Sequence, residues 1–411
     1  MTDLQSEASG LSRTDPSGPV ERPRTVGEAA DLLRGTAGTV LVRGGSTKLD
    51  WAGRVDQPDL TLDTTELRGV LTYNPADMTA SVRAGTTLEE LQRHLAADGQ
   101  WLALDPPTGS AGATVGGLLA AGDSGPSRLR YGGLRDLVIG VTLVLADGTV
   151  ARSGGHVIKN VAGYDLAKIV NGSLGSLALV AEVVVRLHPR PKTSLTIAGP
   201  ATAAQATAAA LALAASPLEP AAVEWVSDPG STGRAGQLLV RIDGTPASVE
   251  AAGRRVQDLL VGRGVEASAL GPDPTTEAWK SHAAAVLGRE GETSLRICGL
   301  PGDLGCLAER GVQLATDSGL DLDLVSSAAL GIHTVRLGGG TTSAHAAAVT
   351  ALRTETVGQG ATVLLRSRPP ELDGLVDALG PPPSSVELLR RLKDQFDPAG
   401  RWAPGRFRPW Y

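Results

Sequence analysis

The chain has 411 residues, and 42% of them are hydrophobic, which is enough to bury a large core divided over two domains. Its formal net charge of −6 argues against a protein that binds nucleic acid or an anionic membrane surface. Cys298 and Cys306 are too few for a disulfide framework and lack the C-x-x-C spacing of zinc and cluster sites, so no metal site is predicted. We therefore expect a cytoplasmic protein in which both cysteines are buried as small hydrophobic residues.

The N-terminal segment is polar and has no apolar run of the kind found in targeting signals. We predict that residues 1–22 form a disordered tail. The longest run of small apolar residues, 208–215, is less than half as long as a bilayer span requires, so direct membrane insertion is not expected. Any membrane association would have to come through a partner.

Alternating apolar segments predict a first domain over residues 23–192. Helices are predicted over 26–33, 88–97 and within 158–170. Strands are predicted at 39–43, 60–62, 69–73, 79–84, 137–145, 149–153 and 178–187. Asp147-Gly148 indicates a hairpin between two of them. Residues 105–133 are crowded with Gly, Pro and Ser and are predicted to form one long functional loop.

The segment His188-Pro189-Arg190-Pro191 interrupts this pattern and indicates a domain boundary. From residue 193 onward, Ala-rich helices alternate with short β-runs at 236–242, 295–297 and 333–336. This alternation predicts a smaller α+β domain over 193–411. Its turn-rich end, 396–406, is expected to pack back on the body of the protein.

Three motifs are candidates for chemistry. The first follows a strand directly and consists of Arg43, Gly44, Gly45, Ser46, Thr47 and Lys48. Two adjacent glycines let successive N–H groups point into one concavity that binds phosphate, and the last three residues add donors and charge. Taken alone, a simple turn is the more frequent explanation. The pattern is neither a P-loop nor a Rossmann G-x-G-x-x-G motif.

The second motif, 105–125, contains small residues at nearly every position. Such a surface lets a flat ring system lie against the backbone; a flexible glycine-rich loop is the simpler alternative. The third motif, Lys159 to Lys168 followed by Asn171 to Leu177, would by itself be an amphipathic helix with a glycine cap. Their order and spacing together are more specific than any one of them.

In that order, the three motifs resemble the FAD-binding domain shared by vanillyl-alcohol oxidase, D-lactate dehydrogenase and glycolate oxidase. The resemblance covers 40–190 closely, with a weaker echo at 396–398 and 404–406, and the wording from His156 to Leu166 is most similar to the E subunits of glycolate oxidase. It implies a PCMH-type FAD-binding domain of two subdomains, an α+β fold, and non-covalently bound FAD. Leu174 departs from the family, which has an acidic residue there. The resemblance implies that FAD is bound by Arg43, Gly44, Gly45, Ser46, Thr47, Lys48, Pro107, Thr108, Thr114, Gly116, Gly117, Ala121, Gly122, Ser124, Gly125 and Val180.

The His-rich cluster with which related hydroxy-acid dehydrogenases bind a metal and abstract a proton is missing. His282, His333 and His345 are isolated, and we expect ordinary surface or core positions for them. His156 lies outside the position where a covalent flavin bond is usual. Catalytic residues are therefore not identified.

The resemblance implies a subunit that carries FAD and relays electrons, with a flavoprotein hydroxy-acid dehydrogenase subunit and an iron–sulfur subunit as partners. One alternative is a stand-alone dehydrogenase, which would need a basic cluster such as Arg289, Arg296, His333 and Arg336. Another is a scaffold subunit without FAD. Asp123 is further expected to lower the flavin potential through its negative charge.

Overall fold

The computed structural model describes residues 18–157, 163–231, 234–358 and 360–411. They form two units. The first comprises residues 18–125, 131–190 and 381–411, and the second comprises 126–130 and 191–380. Residues 1–17 of the predicted tail, residue 158 and residues 159–162 of the third motif lie outside the described residues.

A small parallel sheet lies at the start of the first unit. Its strands are β1 (Val20–Glu21), β2 (Val40–Arg43) and β3 (Leu60–Asp63), in the order β1-β3-β2. Helix α1 (Val26–Gly35) begins at Thr25, whose hydroxyl accepts a hydrogen bond from the Glu28 N–H. The helix buries its apolar face against this sheet.

An antiparallel sheet forms the rest of the first unit. Its strands are β4 (Val70–Asn74), β5 (Thr79–Arg83), β7 (Val138–Val144), β8 (Val150–Gly154) and β9 (Leu179–Arg186), and β6 (Gln100–Trp101) pairs separately with β10 (His188–Pro189). The strand order is β4-β5-β9-β7-β8. The helices before residue 190 are α2 (Leu88–Leu95), α3 (Val115–Ala121), α4 (Arg128–Tyr131), α5 (Leu134–Leu137) and α6 (Leu166–Val170). Leu88, Leu91 and Leu95 recur at helical spacing on α2, and all three are buried.

The prediction of one long loop over 105–133 is wrong, because α3 lies inside it. Thr114 caps this helix, with its hydroxyl accepting from the Gly117 N–H at 3.2 Å. Leu118 and Leu119 are fully buried. A mid-helix glycine costs about 1 kcal/mol relative to alanine, and burying each leucine returns roughly 1.5–3 kcal/mol. The free energy gained by burying the two leucines therefore exceeds the cost of the two glycines, which make this segment resemble a loop in the sequence.

The second unit is built on one antiparallel sheet. Its strands are β11 (Thr193–Thr202), β12 (Ala222–Ser227), β13 (Ala235–Gly244), β14 (Ser268–Ala269), β15 (Thr293–Cys298), β16 (Asp321–Ser327), β17 (Ile332–Gly338) and β18 (Thr362–Ser367). They lie in the order β14-β11-β13-β12-β16-β17-β15-β18. The helices are α7 (Ala203–Ala214), α8 (Pro246–Val261), α9 (Pro272–Leu287), α10 (Leu304–Ser318) and α11 (Thr342–Val357).

The two faces of this sheet differ in chemistry, because side chains alternate along each strand. The apolar face, with Trp225, Leu324 and Val335, shares one core with α7, α8, α10 and α11. The opposite face is polar and meets α9, where the Trp279 indole donates to the Thr196 hydroxyl at 3.0 Å. No helix in the described part of the chain is long and apolar enough to span a membrane.

The C-terminal segment returns to the first unit. After helix α12 (Val386–Phe396), the Asp397 carboxylate accepts from the N–H groups of Arg401 and Trp402, at 2.9 and 2.7 Å. Trp402 forms a parallel bridge with Val40 and is buried in the same core as α1. The end of the chain is thereby fixed beside strand β2.

Candidate functional site

The glycine motif packs directly against the residues that precede α3. A Cβ atom on Gly44 would lie 2.2 Å from the Thr114 hydroxyl oxygen, and one on Gly45 would lie 1.9 Å from the carbonyl oxygen of Gly112. Neither distance is compatible with a side chain, so this close approach requires glycine at both positions. Ser46 follows in the left-handed region with φ 56°. The loop therefore turns sharply at the end of β2.

The same loop has open hydrogen-bond donors. Within the described residues, the backbone N–H groups of Gly44, Gly45, Ser46 and Thr47 donate to no protein acceptor. A run of N–H groups that includes a left-handed residue forms a concave anion site. The loop therefore fits the phosphate group for which the sequence motif was singled out.

These residues line an open pocket of about 730 Å³, counting the solvent space at its mouth. The predicted cofactor residues that line it are Arg43, Gly44, Gly45, Ser46, Thr47, Lys48, Thr114, Gly116, Gly117, Ala121 and Val180. Residues that line it without having been predicted as binding residues are Val42, Leu49, Thr64, Ala84, Ala120, Leu174, Gly175, Ala178 and Arg406. Within this second set, Ala120 belongs to the second motif and Leu174 and Gly175 to the third, whereas Thr64, Ala84 and Ala178 flank strands and are marked by no local motif. Leu174 adopts φ 50° and adds an apolar wall where the family has an acidic residue.

Five predicted cofactor residues are not among those lining the pocket: Pro107, Thr108, Gly122, Ser124 and Gly125. Thr108 reaches the site indirectly, through Lys48. Gly122 ends α3 with φ 59°, and the Ser124 N–H donates to the Asp123 carboxylate. Gly125 approaches the backbone of Asp105, where a Cβ atom would lie 1.9 Å from the carbonyl oxygen. The contacts of Gly122, Ser124 and Gly125 therefore give each of them a role in shaping the backbone that follows α3.

Two of the cations at the pocket are matched by buried carboxylates. Arg43 pairs with Asp63 at 3.3 Å, and Lys48 pairs with Asp123 at 3.4 Å. Burial disfavours the ionised Asp63 carboxyl, but hydrogen bonds from Thr65 and the charge of Arg43 outweigh it and hold its pKa below the usual value. Lys48 therefore lines the pocket as one member of a charge pair.

The C-terminal segment contributes Arg406, which is 3% exposed. Its Nη1 donates to the carbonyl oxygens of Leu49, Trp51 and Gly53 at 2.7, 2.8 and 3.0 Å. Arg406 thus holds the chain just after the glycine loop while also lining the pocket. The motif at 404–406 includes Arg406, but nothing in the sequence predicts that this residue contacts the backbone at Leu49.

The histidines do not form a site. His156 lies near the hydroxyl of Thr79, with Nδ1 and Oγ1 3.0 Å apart, and does not line the pocket. His282, His333 and His345 are all buried, so the surface alternative considered for them is wrong. Cys306 is exposed and Cys298 is half-buried, so the expectation that both cysteines are buried is also wrong.

Three residues of the basic cluster considered for a stand-alone dehydrogenase, Arg296, His333 and Arg336, are divided between the two faces of the second unit's sheet. His333, Val335 and Leu337 are two residues apart along β17 and therefore lie on the same, apolar face of the sheet. Arg296 and Arg336 lie on the opposite face. Arg336 is bound to Asp323 and to the carbonyl oxygen of Ala285.

A family model described as an FAD binding domain matches residues 19–154. This range contains the glycine loop, α3 and four strands of the larger sheet, β4, β5, β7 and β8. This part of the chain carries an FAD-binding domain. FAD is its cofactor, as predicted.

The chain is similar to three known proteins, two by sequence and one by structure. The chain is 38% identical to glycolate oxidase subunit GlcE of Escherichia coli over 39% of its own length and 45% of the relative's. It is 34% identical to glycolate oxidase subunit GlcD of Bacillus subtilis over 38% of its length and 33% of the relative's. The matched region thus spans less than half of either relative. A solved structure of alkyldihydroxyacetonephosphate synthase superposes with a TM-score of 0.69 over 94% of this chain and 76% of the other, at 17% identity. That likeness shows the fold, and the predicted α+β class with a PCMH-type FAD-binding domain is confirmed.

Proposed function

We propose that this chain is a subunit of a 2-hydroxy-acid dehydrogenase complex of the glycolate oxidase type, in which it carries FAD and relays electrons. Its partners would be a flavoprotein subunit that bears the hydroxy-acid site and an iron–sulfur subunit. The observation that carries the proposal is the pocket beside the open N–H groups of the glycine loop. The similarity to two glycolate oxidase subunits supports the substrate class and the multi-subunit setting.

The residues of the pocket suit binding and orientation. When bound, FAD supplies the redox chemistry, and the protein supplies position and electrostatics. The N–H groups of residues 44–47 would hold the phosphates, and the apolar wall of Ala84, Ala120 and Val180 would exclude water from the cofactor. Arg406 would keep the loop in place through its three carbonyl contacts.

The histidines of the second unit support a division of labour between subunits. His282 binds the Glu224 carboxylate at 2.8 Å, and His345 lies 2.8 Å from the Thr293 hydroxyl and 2.7 Å from the carbonyl oxygen of Gly339. His333 binds the Ser326 hydroxyl at 2.8 Å. Each of these three histidines thus has a hydrogen-bond partner inside the unit, in His333 through Nδ1 alone, since its Nε2 is buried without a partner among the described residues. Proton abstraction from a hydroxy acid is therefore assigned to the partner subunit.

An anaerobic spectrum tests the proposal. Purified chain is mixed with glycolate or D-lactate without oxygen, and the flavin absorption is followed. We expect the flavin to remain oxidised until the flavoprotein partner is added. Bleaching by the isolated chain would instead establish a stand-alone dehydrogenase, and a chain that does not bind FAD would favour the scaffold alternative.

A further inference from the structure

Four side chains, those of Thr47, Lys48, Thr108 and Asp123, form a network at the edge of the pocket. The Lys48 ammonium donates to the Thr108 hydroxyl at 2.7 Å and to the Thr47 hydroxyl at 3.0 Å, and it lies 3.4 Å from the Asp123 carboxylate. The Thr108 hydroxyl in turn donates to Asp123 at 3.3 Å. The Ser124 N–H donates to the other carboxylate oxygen at 3.0 Å. Donors and acceptors are therefore matched around one buried pair of charges.

This pair is unusual for its burial. The side chains of Lys48 and Asp123 are 7% and 4% exposed, whereas those of the Arg93–Glu89 pair on α2 are 71% and 62% exposed. Desolvating two charges costs several kcal/mol each, roughly the amount that their attraction returns, so such a pair adds little net stability. Removing one partner is costly, however, because it leaves the other charge buried and uncompensated. A network of this kind fixes geometry more than it adds stability.

Its position in the chain shows which geometry is fixed. Lys48 ends the glycine loop, and Thr108 and Asp123 lie on either side of α3, whose Gly116, Gly117 and Ala121 line the pocket. The network thus joins the glycine loop to both ends of the segment that forms the facing wall. Asp123 itself is 3% exposed and is not among the lining residues, whereas Lys48 is.

We propose that Asp123 is a positioning residue for FAD: it acts through Lys48 and Thr108 to hold the two walls of the pocket at the spacing that binds the cofactor, and it compensates the Lys48 charge. This inference rests on the proposed location of FAD in this pocket. It replaces the expectation that Asp123 lowers the flavin potential as a free negative charge. The lysine–aspartate pair acts on the flavin as a unit close to neutral.

The test is a double-mutant cycle with Asp123→Asn, Lys48→Met and the double variant, each as the full-length chain. The apo-proteins are titrated with FAD, and the flavin midpoint potential is measured on the loaded ones. We expect K48M to weaken FAD binding about tenfold or more, since it leaves a buried carboxylate unpaired. It should also lower the potential, whereas D123N should raise it. The double variant should lie nearer to the wild type than K48M does in both quantities, and D123E should retain the wild-type potential.

Matched controls come from α2, where Glu89→Gln and Arg93→Met make the same changes of charge on an exposed pair. Single effects on FAD affinity that simply multiply in the double variant would overturn the inference, as would a D123N potential equal to that of E89Q. If K48M does not fold, Thr108→Val breaks the same network without changing charge, and unaltered FAD affinity in T108V would overturn it. Wild-type protein that takes up no FAD would instead contradict the assignment of the pocket.

Discussion

The glycine loop of the first unit and the His282–Glu224 pair of the second unit use polar groups in opposite ways. At the pocket of the first unit, backbone N–H groups of the glycine loop face space instead of a protein acceptor. At His282 in the second unit, the buried imidazole is bound to the Glu224 carboxylate, which also accepts from the Ser327 hydroxyl at 3.0 Å. Buried polar groups are normally satisfied inside a protein, so donors left open beside a cavity indicate a ligand. The contrast separates a region built to bind from one built to stay folded.

The largest expected effect follows from filling the glycine loop. Gly45→Val would drive a side chain into the carbonyl of Gly112, and it should weaken FAD binding by more than about 100-fold, or roughly 3 kcal/mol. Titration of the apo-protein with FAD measures this. Gly27→Ala on α1 is the control, because a Cβ there meets no atom closer than 3.9 Å. Equal affinity in both variants would remove the glycine loop from the site.

A similar cost should appear in the second unit without any change in FAD binding. His282→Leu would leave the 2%-exposed Glu224 with its histidine partner gone and should lower the free energy of unfolding by about 3 kcal/mol. Chemical denaturation followed by circular dichroism gives the loss. A weakened FAD affinity in a folded H282L protein would break the separation of the two roles.

His333 predicts a pH dependence of stability. Burial lowers its pKa from 6.5 to about 4, partly opposed by the charge of Asp303. A group whose pKa is lower in the folded state binds fewer protons there, so its contribution is present above pH 6.5 and is lost as the pH falls toward 4. The loss should reach about 3 kcal/mol at the acid end. Denaturation midpoints from pH 4 to 7 should show a shallower slope for His333→Asn than for the exposed-site control His94→Asn, and equal slopes would contradict the assignment.

The smallest effect is expected at Arg406. Arg406→Lys keeps the charge but replaces the guanidinium that spans three carbonyls, and it should weaken FAD binding about fivefold to tenfold, or roughly 1 kcal/mol. Arg408→Lys is the control, since Arg408 pairs with Asp56 at an exposed position. Comparable affinities of the two variants would show that the C-terminal segment does not support the pocket.

Local patterns allowed much of the fold to be predicted. The helix predicted over 88–97 corresponds to α2, and the hairpin predicted at Asp147-Gly148 joins strands β7 and β8. Helix α3 escaped because Gly116 and Gly117 resemble a loop when the burial of their neighbours is unknown.

The site was predicted only where its residues are contiguous. The glycine loop was found, but the pairing of Lys48 with Asp123 joins positions far apart in the chain, and the role of Arg406 depends on a segment that returns from the C-terminus. Nothing in the sequence shows whether a polar residue such as Asp123 contacts the cofactor or pairs with Lys48. Contacts between residues so far apart in the chain can be identified only once the three-dimensional fold is known.

The most direct test of the central claim is the flavin content of the purified chain, measured by its absorption spectrum and by titration of the apo-protein with FAD. The account predicts one FAD per chain, released when the protein is denatured and lost in G45V. A wild-type chain that is folded but binds no added FAD would contradict it.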